Sequence, residues 1–230
     1  IGGSMGAMQV LQWTVDFPEN LNNAIHIAGA LKHSAQNIAF HEVGRQAIMN
    51  DPTWKSGNYN VNEKPEMGLA VARMIAHITY LSDDAMHRKF GRKLQSRDII
   101  SFGFDADFQV ESYLRYQGRS FVDRFDANSY LYLTRAMDYF DLTDKFNQSI
   151  EFSLKPNNHI NYLIISFTSD WLFPTRENKR IVDKLNYNTR KVSFTEIETD
   201  KGHDSFLLDE IELDKTISGF LNSNFEKMTK

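Results

Sequence analysis

The sequence predicts an α/β fold: a parallel sheet covered by helices and interrupted by a long helical insertion. Three observations predict it. Apolar runs of strand length alternate with helical patterns at both ends of the chain. Residues 34 to about 148 carry helical spacing and loops without a clear strand. A glycine-serine turn, of the kind that leads from a strand into a helix, opens the chain.

Each element follows from its residues. Gly2-Gly3-Ser4-Met5-Gly6 is the tight turn, and Ala7 to Trp13 continues it as a helix that Asp16-Phe17-Pro18 ends. Ala24 to Gly29 is an apolar run between polar flanks, expected to be a buried strand. Ser34 is a candidate N-cap for a helix running toward Asp51, with Ile38, Phe40, Val43, Ala47 and Ile48 at helical spacing. Trp54 to Pro65 is polar and reads as a loop. Helices are expected from Pro65–Glu66 to Tyr80, from a Ser82 cap to near Gly91, over Phe108–Tyr116 and over Ala127–Phe140. Asn161 to Phe167 is β-rich, Thr175 to Leu185 helical, Val192 to Ile197 a strand, and Ile211 to Phe220 the closing helix. The organisation is therefore core over 1–33, helical insertion over 34–148, and core again over 149–230.

Composition narrows the function classes. The 230 residues are 41% hydrophobic and 24% charged, the balance of a globular protein. A net charge of −4 with scattered Lys and Arg offers no footprint for a nucleic acid. The absence of cysteine removes disulfides, thiol nucleophiles and thiolate metal sites, and fits a cytoplasmic location. No apolar run approaches the roughly 18 residues of a membrane span, so no membrane partner is expected. The turn at Gly2 lacks all but the last residue of the strand that should precede it, so the chain reads as the C-terminal portion of a longer protein, or as a processed or partial sequence.

Three places carry chemistry. Gly2-Gly3-Ser4-Met5-Gly6 matches G-x-S-x-G, in which a sharp turn projects a serine hydroxyl from the top of a sheet. Small neighbours suit that strained backbone, and the N–H groups at the start of the following helix can bind an oxyanion. Asp170 lies just past the carboxyl end of the 161–167 strand, where functional residues of open parallel sheets collect. His203 follows the 192–197 strand. The order Ser…Asp…His is that of α/β-hydrolases, with Ser4 as nucleophile, His203 as base and Asp170 as the acid that orients it. His26, His33, His41, His77, His87 and His159 show no metal-ligand spacing and read as structural or surface residues. Asp105 and Asp107 read as helix caps, and Tyr130 to Phe140 as packing within the insertion.

Longer stretches carry a resemblance. They are Met8-Gln9, Ser34 to Phe40, Gly68-Leu69-Ala70, Ala72 to Ile75, His77 to Ser82, Glu111 to Leu114, Arg124 to Tyr130, Ser166 to Asp170 and Gly202-His203-Asp204. Together with the serine turn, they make the chain resemble the homoserine O-acyltransferases of α/β-hydrolase type, nearly throughout and in the family's order. Ala7 departs from it, standing where the family usually has glycine. The resemblance implies an α/β-hydrolase core with a helical lid. It also implies an acetyl group moved from acetyl-CoA to L-homoserine through an acyl-enzyme on Ser4, in methionine biosynthesis.

Further expectations follow from it: an oxyanion donor at the Met5 backbone N–H, Arg73 on the substrate carboxylate, Asp204 on its ammonium, and Tyr80 beside them. It implies no permanently bound cofactor or metal, acyl-CoA as cosubstrate, and a homodimer through the helical lid. Succinyl-CoA as donor, serine as acceptor, ester hydrolysis, and an inactive fragment remain open. The fold's second oxyanion donor belongs to an earlier loop that lies outside this sequence.

Overall fold

The computed structural model describes residues 1–96, 98–142, 159–188 and 191–228. In chain order the elements are β1 (Gly2–Gly3), α1 (Met5–Asp16), β2 (Asn23–Ile27), α2 (Ala35–Met49), α3 (Glu66–Tyr80), α4 (Asp83–Lys89), α5 (Gln109–Val122) and α6 (Ala127–Tyr139). They continue with β3 (Asn161–Phe167), α7 (Thr175–Asn188), β4 (Val192–Ile197) and α8 (Ile211–Met228). The chain forms two compact units, one of residues Ile1–Lys32 with Phe140–Lys230 and one of His33–Tyr139.

The first unit is a parallel sheet in the order β1-β2-β3-β4. Strand β3 is buried at every position after Asn161, which is why it reads as an unbroken apolar run. Its side chains alternate between two cores. Tyr162 and Ile164 join Leu11 of α1 and Ile181 and Leu185 of α7 on one face. Leu163, Ile165 and Phe167 join Ile25, Ile27, Ile197 and Leu213 of α8 on the other. Helices thus cover both faces of a parallel sheet, the α/β layering expected from the alternating pattern.

Strand β2 stops at Ile27, two residues before the expected end. Ala28 turns to φ 49°, which no strand residue adopts, while its N–H still donates to Ile165 O at 2.9 Å. Helices α7 and α8 run past their expected ends, to Asn188 and Met228.

The second unit is helical, and among its described residues the pairing outside helices is one isolated bridge, Leu94 with Phe108. Ser34 caps α2: its Oγ accepts the Asn37 N–H at 3.2 Å, and Asn37 Oδ1 accepts the Ser34 N–H at 3.1 Å. Ser82 Oγ caps α4 by accepting the Ala85 N–H at 2.9 Å. Gly68 lets α3 lie directly on α2, since a Cβ there would stand 2.4 Å from the carbonyl oxygen of Ala47. Ile48, Leu69, Ala72, Phe121, Val122 and Ala127 fill the core between α2, α3, α5 and α6.

Helix α5 continues to Val122, six residues past Tyr116, because Phe121 and Val122 belong to this core. Asp107 does not cap it. Its Oδ2 accepts from the Ser101 N–H and hydroxyl at 3.0 and 3.1 Å and closes the preceding loop, while Phe108 holds the N-cap position. The observed helical unit ends at Tyr139, and Leu142 N donates to Leu31 O within the core unit. The rest of the expected insertion, 143–148, lies outside the described residues. Among the described residues, no helix is long and apolar enough to cross a membrane.

Candidate active site

Ser4 stands between β1 and α1 with φ 55° and ψ −120°, a conformation that costs a non-glycine residue roughly 1–3 kcal/mol. Its N–H donates to Ile27 O at 3.0 Å and its carbonyl accepts from Ala7 and Met8, so strand and helix hold it from both sides. The turn needs its first two glycines for space. A Cβ on Gly2 would lie 2.3 Å from the carbonyl oxygen of Gly6, and one on Gly3 would lie 2.6 Å from the Phe206 ring. Gly6 differs from expectation: apart from its chain neighbours and its own helix backbone, no described atom comes within 4 Å of where its Cβ would stand. Met5 begins α1, where the N–H has no carbonyl one turn back to bond, so it is free to face an anion.

His203 comes to Ser4 from the loop after β4, on a short 3-10 turn over Gly202–Leu207. Its Nε2 lies 2.9 Å from Ser4 Oγ and its Nδ1 lies 2.8 Å from Asp170 Oδ2. The other carboxylate oxygen of Asp170 accepts the backbone N–H groups of Leu172 and Phe173, both at 2.9 Å. A carboxylate held this way can only accept. His203 therefore carries its proton on Nδ1, and its Nε2 lone pair is left to take the serine proton. Both His203 and Asp170 are buried. Phe173 and Phe206 pack on the imidazole at ring-centroid distances of 5.2 and 5.4 Å.

The loops that present acid and base are stitched together. Gly202 N donates to Ser169 Oγ at 3.0 Å, Thr168 Oγ1 donates to Thr199 O, and Thr199 N donates back to Thr168 Oγ1. Asp204 follows His203 on the same turn and is half-buried. These stitching residues and the two phenylalanines escaped the sequence reading. Their signal was proximity in sequence to Asp170 and His203, with Thr168 and Ser169 also inside a stretch that carries the resemblance.

Arg73 and Tyr80 belong to the helical unit, two turns apart on α3. The Arg73 guanidinium lies 5.5 Å from the Tyr80 ring centroid and 4.6 Å from that of Phe121, within cation–π range of both. Its buried Nε has no hydrogen-bond partner among the described residues. Beside them His77 is buried, with Nδ1 3.1 Å from the Tyr113 hydroxyl. Burial, then the positive charges of Arg73, Lys89 and Arg124, lower its pKa to about 4. His77, which reads from the sequence as structural, is thus a neutral ring among three cations, on the same helix as Arg73 and Tyr80.

A serine on a strained turn hydrogen-bonded to a histidine and through it to an aspartate, each following a parallel strand, is the arrangement of the serine-centred class of the α/β hydrolases. The α/β hydrolase fold family matches residues 1–210, and the chain belongs to it. Within that class the chain is similar to proteins named homoserine O-acetyltransferase. The one from Rhodospirillum rubrum is 60% identical over 223 residues, covering 96% of this chain and 57% of that protein. The one from Mesorhizobium japonicum is 60% identical over 224 residues, covering 97% and 57%. The chain thus spans little more than half the length of these relatives.

Among solved structures, homoserine O-acetyltransferase from Bacillus anthracis superposes with a TM-score of 0.80 at 25% identity, covering 89% of this chain and 54% of that one. Esterase E22 superposes with 0.82 at 22% identity, covering 94% and 58%, which shows the shared fold.

Proposed function

We propose that the protein transfers an acetyl group from acetyl-CoA to the side-chain hydroxyl of L-homoserine; in support, similar proteins are named homoserine O-acetyltransferase. The observation that carries the proposal is the continuous relay Ser4–His203–Asp170 on a strained turn. His203 Nε2 takes the proton from Ser4 Oγ as the oxygen attacks the thioester carbonyl. The Met5 N–H faces the oxyanion that forms, an interaction worth about 2.7–4 kcal/mol of barrier where one such donor has been removed. Collapse breaks the carbon–sulfur bond, His203 returns the proton to sulfur, and CoA leaves an acetyl ester on Ser4. The homoserine hydroxyl then gives its proton to His203 and attacks the ester. Breakdown of the second tetrahedral intermediate releases O-acetylhomoserine and returns the proton to Ser4.

Homoserine is a zwitterion, so its site needs a cation and an anion. Arg73 suits the carboxylate, because a guanidinium binds both oxygens in a fork and this one is oriented by two rings with Nε unpartnered. Asp204, next to the base, suits the ammonium, and Tyr80, whose ring lies beside the Arg73 guanidinium, is proposed to accompany Arg73. The proposal also includes the methionine pathway, a cytoplasmic location and a homodimer formed through the helical unit acting as a lid. In support of the dimer, that unit leaves Phe102, Phe104 and Met67 at least 81% exposed. Sedimentation of a monomer would remove the dimer from the proposal.

A CoA-release assay comparing acetyl-CoA with succinyl-CoA, and homoserine with serine and water, tests the reaction. Release should be fastest with acetyl-CoA and homoserine. Ser4→Ala should lower kcat by roughly 10⁵–10⁶-fold. Release by Ser4→Ala at the wild-type rate would falsify the acyl-enzyme, and release without an acceptor at the full rate would make the enzyme a hydrolase.

A further inference from the structure

His33, His41 and Asp138 converge in the helical unit, although 105 and 97 residues separate the two histidines from the aspartate. His33 precedes the cap of α2, His41 lies on α2, and Asp138 sits at the last turn of α6. The Nδ1 atoms of both rings point at one oxygen, Asp138 Oδ1, at 3.1 and 2.8 Å. The ring centroids are 5.1 Å apart. One potential ligand atom from each residue lies within 4.8 Å of the other two. We propose that His33 Nδ1, His41 Nδ1 and Asp138 Oδ1 form a binding site for one divalent transition-metal ion of the zinc type.

Distances and chemistry both suit such an ion. Zinc bonds nitrogen and carboxylate oxygen at about 2.0–2.2 Å, so ligand atoms around a tetrahedral zinc stand about 3.3 Å apart. The two nitrogen–oxygen separations, 3.1 and 2.8 Å, need to open by only a few tenths of an ångström. Two imidazoles and a carboxylate are a common three-ligand set, leaving a fourth position for water. The ligands are in the protonation states a metal needs. Burial lowers the pKa of both histidines below the usual 6.5, so they are neutral near pH 7. The Asp138 carboxyl is held below its ordinary value by hydrogen bonds from His33, His41 and Arg45, which outweigh its burial.

Binding requires each neutral ring to carry its hydrogen on Nε2 instead of Nδ1, a tautomer change with no net proton release. Arg45 Nη1 holds the other Asp138 oxygen at 2.7 Å and so orients the ligand carboxylate. The cost of this nearby positive charge is offset by Glu42, whose Oε2 lies 3.0 Å from Arg45 Nη2 and 3.9 Å from Arg135. His41 also hydrogen-bonds the backbone of Thr134, which steadies its ring. The side chains of His33 and Asp138 are nearly closed to solvent while that of His41 is 20% exposed, which gives an ion a way in.

The test is zinc titration into tag-free, EDTA-treated protein, with calorimetry for stoichiometry and a thermal melt for linkage. One equivalent of Zn²⁺ should bind and raise Tm, and Co²⁺ should give the visible absorption of a low-coordinate N₂O site. His41→Gln keeps an N–H donor toward Asp138 but lacks the imidazole. It should melt like the wild type in EDTA, bind Zn²⁺ at least tenfold more weakly, and lose the Co²⁺ absorption. Should that variant not fold, ¹⁵N spectra of the wild-type imidazoles serve instead, with zinc expected to move the His33 and His41 ring nitrogens. No zinc uptake, equal affinity in His41→Gln, or zinc shifts confined to the other histidines would overturn the site.

Discussion

At Ser4, backbone strain and side-chain chemistry are one feature. The left-handed φ of 55° lifts Oγ off the sheet edge to within 2.9 Å of His203, and hydrogen bonds to Ile27, Ala7 and Met8 hold it there. This residue was legible in the sequence because the turn that makes it is local, spelled by five consecutive residues. The steric demand is uneven, falling on Gly2 and Gly3 but on no described neighbour of Gly6. Arg73 is the residue whose role is most open to test. Arg73→Ala should raise KM for homoserine by roughly 100-fold, the scale of one lost charged hydrogen-bond pair. The acetyl-CoA-dependent burst that forms the acyl-enzyme should stay within about twofold. Rapid-quench measurement of both steps checks this, and equal losses in the two would assign Arg73 a structural role instead.

Elements were legible where one local signal dominated. Strand β3 announces itself as an apolar run, and α2 and α4 by serine caps, because burial on both faces and N-terminal N–H satisfaction depend only on nearby residues. Ser34→Ala removes the capping box of α2 and should cost about 1 kcal/mol, read as a lower denaturation midpoint at unchanged slope. An unchanged midpoint would mean the cap contributes nothing beyond solvent. Ends were less legible. Helix α5 outruns its expected stop because Phe121 and Val122 pack on α3, and β2 stops early because Ala28 adopts a positive φ. Both outcomes depend on neighbours distant in sequence.

For the molecule as a whole, buried histidines contribute to the response to acid. Burial lowers His26 on β2 to about 3, and burial with neighbouring cations lowers His77 to about 4. In the unfolded chain both take up a proton near 6.5. Below that pH the unfolded state holds more protons, so stability falls as pH drops toward 4, by up to about 1.4 kcal/mol per histidine per pH unit. Above 6.5 both are neutral in either state and the contribution is complete. Melting temperatures from pH 7 to 4.5 should fall accordingly. His26→Leu, which removes two ring nitrogens without partners among the described residues, should make that fall shallower. A slope identical to wild type would rule out His26 as a source.

The sequence by itself determined the alternation of strands and helices, the serine turn, and the chain order of Ser4, Asp170 and His203, each after a strand. These are patterns of period and spacing that each segment carries alone. Only the tertiary structure decided that 199 residues of chain bring His203 to Ser4 and 33 bring it to Asp170. It also decided that Thr168 and Ser169 tie the acid loop to the histidine loop, and that two histidines converge on Asp138. A contact between distant side chains is set by how strands register and helices pack. Separation along the chain carries no record of that geometry.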